Sequence, residues 1–175
     1  MDVKTLYKLS YGMFVVCSKN GDKVNGQMAT TVFQITSEPP TIAVSINRSN
    51  LTHSYIDASK MFTASILGIT TPLSFIGGFC FRSGRDVNKL EKIEYKLGVT
   101  GAPVILDNTV AYVEVNVTKQ LDVGTHTIFV GDLVNAEILN DKEVMTYANY
   151  HLIRRGTTPT TAPTYIAEPK EATKA

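Results

Sequence analysis

The chain has 175 residues, with 17 Lys+Arg against 16 Asp+Glu and a formal net charge of +1, which fits one domain and leaves no basic stripe for nucleic acid. Hydrophobic residues make up 43% and charged residues 19%, below the ~25% charged fraction typical of soluble domains, so some surface is expected to be hidden in an interface. No run approaches ~18 consecutive apolar residues, so no membrane span is expected.

In chain order, Val3, Leu6, Tyr7 and Leu9 sit at helical spacing and predict a short helix over Val3–Leu9. Met1–Ser10 carries Asp2, Lys4 and Lys8 and no apolar h-region, so it does not read as a signal peptide. A strand follows over Met13–Ser18, then Asn20-Gly21, the strongest short hairpin signal because both central residues must accept positive φ. The returning strand is expected from Lys23 to about Thr36, with Glu38-Pro39-Pro40 closing it and Thr41–Ile46 forming the next strand. Asn50–Ala58 reads as a helix capped by Ser49 or Asn50.

Further strands are predicted at Met61–Leu67, Val104–Leu106, Val110–Gln120 and His126–Ile138. In the third, Val113, Val115 and Val117 alternate with Tyr112, Glu114 and Asn116, the pattern of a strand with one buried face. Thr71 as cap with Pro72 at the first position starts a short helix, and Asp86–Ile93 suggests another. Strands outnumber helices without a βαβ rhythm, which points to a mainly β chain, an antiparallel barrel with short helical insertions. Residues 156–175 hold six Thr, four Ala and three Pro, too few large apolar groups for a core, and read as an extended tail that lies along a surface or stays mobile.

Three segments could carry chemistry. Asn25-Gly26 falls inside an expected strand. It reads either as a bulge or displaced turn, or as a place where missing side chains let a ligand ring approach the backbone, with Gln27-Met28-Ala29-Thr30-Thr31 supplying a polar rim. Ser45-Ile46-Asn47-Arg48-Ser49-Asn50-Leu51-Thr52-His53 runs from a strand into a helix start, either an ordinary capped helix or an anion site with Thr52 and His53 as added donors. Arg82-Ser83-Gly84-Arg85-Asp86-Val87-Asn88-Lys89 reads as a solvated basic loop or as a phosphate clamp of forked arginine donors, a lysine point charge and a glycine that lets amides approach.

No Walker A loop, Gly-x-Gly-x-x-Gly fingerprint or Gly-x-Ser-x-Gly elbow occurs. His53, His126 and His151 lack partners at metal-ligand spacing, so no metal site is expected. Cys17 and Cys80 lie in separate apolar runs, which favours reduced, buried thiols and a cytoplasmic setting over a disulfide. His126 follows Gly124-Thr125 at a strand start and reads either as a pocket residue or as a structural histidine.

Taken together, Asn25-Gly26-Gln27-Met28-Ala29-Thr30-Thr31, Ser37–Ile46, Asn50-Leu51-Thr52-His53, Ser83-Gly84-Arg85 with Lys89, Gly124–Gly131 and Tyr150-His151 resemble, in order, the flavin reductase-like, FMN-binding split-barrel family. Within that family the chain looks most like flavoredoxins and the flavin reductase module of high-molecular-weight rubredoxins. The resemblance implies a six-stranded Greek-key split β-barrel over residues 1–155, followed by the tail, 156–175. It also implies a homodimer with one FMN per subunit. By position, Gln27, Ala29, Thr30, Thr31, Ser45, Ile46 and Asn47 would line the isoalloxazine. Asn50, Thr52, Ser83, Arg85 and Lys89 would hold the phosphate, Asn25, Gly26, His53 and Gly84 would also belong to the cofactor site, and His126 would orient a nicotinamide at the flavin face. The chain departs from the family at Thr125, where an acidic residue is common, and it has no cysteine after Cys80, so no iron site is built in.

The implied activity is hydride transfer from NADH or NADPH to FMN, then electron delivery to an external acceptor: free flavin, ferric complexes, dioxygen or a small iron protein. The alternatives are a flavoredoxin-like FMN electron carrier reduced by a protein partner, and a flavin-binding protein without turnover.

Overall fold

A computed structural model of the chain describes residues 2–166. A 3₁₀ turn, Val3–Lys8, leads to β1 (Phe14–Asn20), β2 (Lys23–Ala29), β3 (Val32–Ser37) and β4 (Pro40–Asn47). Then come α1 (Leu51–Ser59), β5 (Met61–Leu67), α2 (Leu73–Cys80), β6 (Tyr95–Leu97), β7 (Pro103–Ile105), β8 (Thr109–Val123) and β9 (His126–Ile138), and a π-helical turn at Asn149–Ile153.

Seven strands form one antiparallel sheet in the order β2-β1-β5-β8-β9-β4-β3, and β6 pairs with β7 apart from it. The two edge strands, β2 and β3, are consecutive in the chain and joined only by Thr30-Thr31. The sheet therefore curls until its edges meet at a corner without pairing, which is a split barrel. This corner corrects two expectations. The returning strand is not continuous from Lys23 to Thr36, and breaking it at Thr30-Thr31 makes seven strands where six were implied.

A cluster of Val16, Val44, Ile46, Ile56, Phe62, Ala64, Val115 and Phe129, drawn from five strands and α1, fills the inside of the curl. A second cluster, including Val15, Cys17, Ile76, Phe79, Ile105, Met145 and Tyr150, covers the outer face under α2 and the chain after β9. β1 is thus buried on both faces, Val16 inward and Val15 and Cys17 outward. The same double cover explains β8, where Tyr112 and Glu114 are buried as well as Val115. The carboxylate of Glu114 accepts hydrogen bonds from the amides of Val99 and Thr100, the Thr100 hydroxyl and Asn135 Nδ2, so the loop between β6 and β7 closes over the face expected to be wet.

Local chemistry moves several boundaries. The hairpin loop is Gly21-Asp22, with Asn20 paired to Lys23 and only Gly21 of the two at positive φ, 57°. Asp86–Ile93 is not a helix. Its amides are taken by turns, Asp86 and Val87 to the Ser83 carbonyl and Leu90 to Asn88 Oδ1, and such local bonds compete with helix formation. Pro72, not Thr71, holds the cap position of α2, and the Thr71 hydroxyl donates to the Gly68 carbonyl instead.

Candidate functional site

A cavity of about 510 Å³ opens where β2, the start of α1, the loop after α2 and the chain after β9 converge, a volume within the range of small-molecule sites. At one end lie Asn50, Leu51, Thr52, Ser83, Gly84, Arg85 and Lys89. The two anion-site candidates, more than thirty residues apart in sequence, therefore meet on one wall. Gln27, Met28, Ala29, Thr30, Ser45 and Asn47 also line it, and the wall is completed by Phe79, Tyr147, Tyr150 and Thr157–Thr164.

The first end is held together by its own hydrogen bonds. Asn25 Nδ2 donates to Thr52 Oγ1 at 2.7 Å, which fixes β2 against α1. Arg85 Nη1 donates to the Ser49 carbonyl at 2.9 Å, and the Arg85 amide donates to Ser83 Oγ at 3.2 Å. A Cβ on Gly84 would lie 1.9 Å from Asn25 Oδ1, so only glycine lets this loop pack against β2. Asn50 occupies the cap position of α1 without a side-chain cap hydrogen bond, and the residue lines the cavity, while its backbone N–H donates to the Asn47 carbonyl.

Lys89 Nζ donates to the Phe79 carbonyl at 3.1 Å. Burial pulls its pKa down to about 8, with the neighbouring Cys80 and Cys17 pulling the other way. Both thiols are free, and burial pushes each up to about 12 against the opposing pull of Lys89. They are therefore protonated and inert near neutral pH.

Other lining groups are polar but unsatisfied. Gln27 Oε1, Thr30 Oγ1 and Thr164 Oγ1 are buried without any hydrogen-bond partner, and all three residues line the cavity. Leaving such a group unpaired costs about 1–3 kcal/mol. The lining of this one cavity thus combines unpaired polar atoms with the cationic side chains of Arg85 and Lys89.

Five expected site residues do not line this cavity. Gly26 is in register opposite Cys17 without a bulge, and a Cβ there would lie 2.7 Å from Cys17 Sγ and 3.2 Å from the Phe79 ring. Its bareness thus serves packing of β1 and α2, which neither sequence reading anticipated. Ile46 is fully buried inside the curl. The Thr31 hydroxyl donates to the Ser45 carbonyl. His53 turns away, its Nε2 2.8 Å from Thr127 Oγ1 and its ring against Phe129, and burial lowers its pKa. His126 lies opposite Asn47 on the neighbouring strand, with Nδ1 2.8 Å from Thr125 Oγ1 and Nε2 buried without a partner. Tyr147 and the Thr157–Thr164 segment were not anticipated as wall residues, because nothing in a Thr/Pro-rich stretch announces where it will dock.

The flavin reductase-like domain model matches residues 6–154. The chain belongs to this family. It is 52% identical over 165 residues to a high molecular weight rubredoxin of Moorella thermoacetica, covering 94% of this chain and 72% of that protein. It is 48% identical over 166 residues to a ferric-chelate reductase (NAD(P)H) of Archaeoglobus fulgidus, covering 95% and 98%. Among solved structures, an FMN-binding protein from Thermus thermophilus superposes with a TM-score of 0.70 at 26% identity, over 77% of this chain and 75% of that one. The chain is a flavin-based oxidoreductase, and the sheet described above is the family's split barrel. Among the described residues there is no cluster of potential metal ligands and no helix long and apolar enough to cross a membrane.

Proposed function

We propose that the cavity binds FMN and that the protein uses it to carry reducing equivalents from NADH or NADPH to an external acceptor such as free flavin, a ferric complex, dioxygen or a small iron protein. The observation that carries this is the cavity's polarity: three orphaned buried acceptor or hydroxyl atoms line it together with Arg85 and Lys89. A flat heteroaromatic with a phosphate tail matches both. The ferric-chelate reductase relative supports nicotinamide as donor, and the FMN-binding neighbour supports FMN.

Arg85 and Lys89 would neutralise the phosphate, with Ser83, Asn50 and Thr52 as additional hydrogen-bonding groups and Gly84 bringing the main chain close. Gln27 and Thr30 would meet the polar edge of the ring, while Met28, Ala29 and Phe79 supply apolar contact. When bound, FMN supplies the hydride-accepting chemistry, so no side chain needs to act as a nucleophile. His126, one strand from Asn47, would orient the nicotinamide from the rim. Residues 1–155 form the split-barrel unit in this reading, and residues 157–164 add to the lining of its cavity. Two copies would associate through apolar surface such as Phe33 and Ile35 on edge strand β3, 52% and 47% exposed. Light scattering then gives twice the 19.2 kDa of one chain.

Anaerobic stopped-flow mixing of the FMN-loaded protein with NADH or NADPH tests the reductase reading. Bleaching of the flavin within seconds is expected, and slower bleaching in His126→Ala supports the orienting role. If neither nucleotide bleaches a flavin that is demonstrably bound, the reductase reading fails and an FMN carrier fed by a protein partner takes its place.

A further inference from the structure

The chain beyond the family domain reverses over Arg155 and Gly156 and returns along the cavity. Tyr150 anchors the reversal, its carbonyl accepting from the Gly156 amide at 3.0 Å and its hydroxyl donating to the Thr157 carbonyl at 2.7 Å. The Tyr147 hydroxyl lies 2.6 Å from Thr158 Oγ1. Two reverse turns follow, Ala162 to the Pro159 carbonyl and Tyr165 to the Ala162 carbonyl. Together they carry Thr164 inward to 9% exposure on the cavity wall, where its hydroxyl has no partner.

A Thr/Pro-rich segment does not bury a hydroxyl unpaired for its own stability, since nothing apolar in it repays the loss. The segment is also held by hydroxyl bonds from tyrosines of the domain, not by a core of its own. Its position is therefore chosen relative to the cavity, and the orphaned hydroxyl joins that of Thr30 and the amide oxygen of Gln27 around one space.

Resting on the FMN reading above, we propose that residues 157–164 form a strap that is part of the cofactor site, with the Thr164 hydroxyl hydrogen-bonding the bound flavin. The strap makes the flavin a retained prosthetic group, because dissociation requires the strap to lift. A flavin reductase that treats flavin as a passing substrate needs an open cavity, whereas here residues 157–164 run along the lining beside Tyr147 and Tyr150.

The test uses the full chain in three forms: wild type, Thr164→Val, and Tyr147→Phe, which frees Thr158 while leaving the cavity lining otherwise intact. FMN affinity is read by fluorescence quenching, dissociation by dilution into apo-flavodoxin or another flavin trap, and strap order by hydrogen exchange of residues 157–165 with and without FMN. The expected result is a Kd about 5- to 10-fold higher for Thr164→Val, faster release in both variants, and slower strap exchange in wild type when FMN is present. A Kd within twofold of wild type in Thr164→Val, or strap exchange indifferent to FMN, overturns the strap while leaving FMN binding intact. A wild-type protein that binds no FMN overturns the cofactor reading itself, and the strap with it.

Discussion

Two groups of residues on the cavity lining, the anion end and the ring end of the FMN reading, are built on opposite principles. At the anion end the strongest donors are already engaged inside the protein: Asn25 with Thr52, Arg85 with the Ser49 carbonyl and Ser83, Lys89 with the Phe79 carbonyl. At the ring end Gln27, Thr30 and Thr164 each bury a polar atom with nothing to bond. The difference follows from charge. Lys89 is half-buried, and a cation taken out of water without any partner is costly, so the Phe79 carbonyl holds it; the exposed Arg85 is oriented by the Ser49 carbonyl instead. A neutral hydroxyl can be left orphaned at about 1–3 kcal/mol, a strain that ligand binding relieves. In the FMN reading proposed above, the anion end would supply attraction, and the ring end would supply discrimination.

The sharpest break in this contrast is Arg85→Ala. It removes the forked donor while leaving the ring end untouched, and Arg85 is exposed enough that the fold loses little. FMN affinity is expected to fall about 30-fold, or about 2 kcal/mol, from loss of one charge-assisted contact. Riboflavin, which has no phosphate, is expected to bind the variant and wild type alike. Fluorescence titration of both ligands checks this, and equal losses for the two would show that Arg85 acts through the fold and not on the phosphate.

Next in size is a pH effect from Lys89. Burial holds its pKa down to about 8, so it is charged below that pH and increasingly neutral above it. Phosphate favours the charged form, so binding takes up a proton above pH about 8 and affinity falls as pH rises through that value. Between pH 7 and 9 the FMN Kd is expected to rise by up to about tenfold, and Lys89→Met is expected to bind more weakly at pH 7 with the slope removed. A flat profile in wild type would mean that Lys89 does not face the phosphate.

How much of this was legible in the sequence also divides along the two ends. The Arg82–Lys89 cluster and the Asn50-Leu51-Thr52 helix start can be read as anion groups because charge and helix-start chemistry are local properties. That they share one wall is tertiary, set by the 2.7 Å Asn25–Thr52 bond and the contact of Gly84 with Asn25, and only the ordered resemblance to a family pointed to it. Most strand positions were likewise accessible through β-branched runs and alternation, but their order in the sheet was not, nor was the corner at Thr30-Thr31, because a run from Lys23 to Thr36 contains no Gly or Pro after Gly26 to punctuate it. Gly26 misled for a related reason: a bare position in a strand signals close approach, yet the approaching group is Cys17 across the ladder and Phe79 from α2. The strap was the least legible, since its docking depends on hydroxyls of Tyr147 and Tyr150 that look like ordinary core residues from the sequence.

The smallest effect, and the one most specific to the contrast, belongs to Thr30. Thr30→Val keeps the shape of the side chain and removes the buried hydroxyl. In the unliganded protein that hydroxyl is a cost, so the variant is expected to be more stable than wild type, by about 1 kcal/mol in chemical denaturation. With FMN present the same hydroxyl has a partner, so the variant is expected to bind about fivefold more weakly. Stability and affinity therefore move in opposite directions on a single isosteric change. A group that merely packs would lose both or neither, and a group already satisfied inside the protein, as at the anion end, would lose stability on removal. If Thr30→Val destabilises the unliganded protein, the hydroxyl has a partner in solution, and the ring end is not the unsatisfied half of the site.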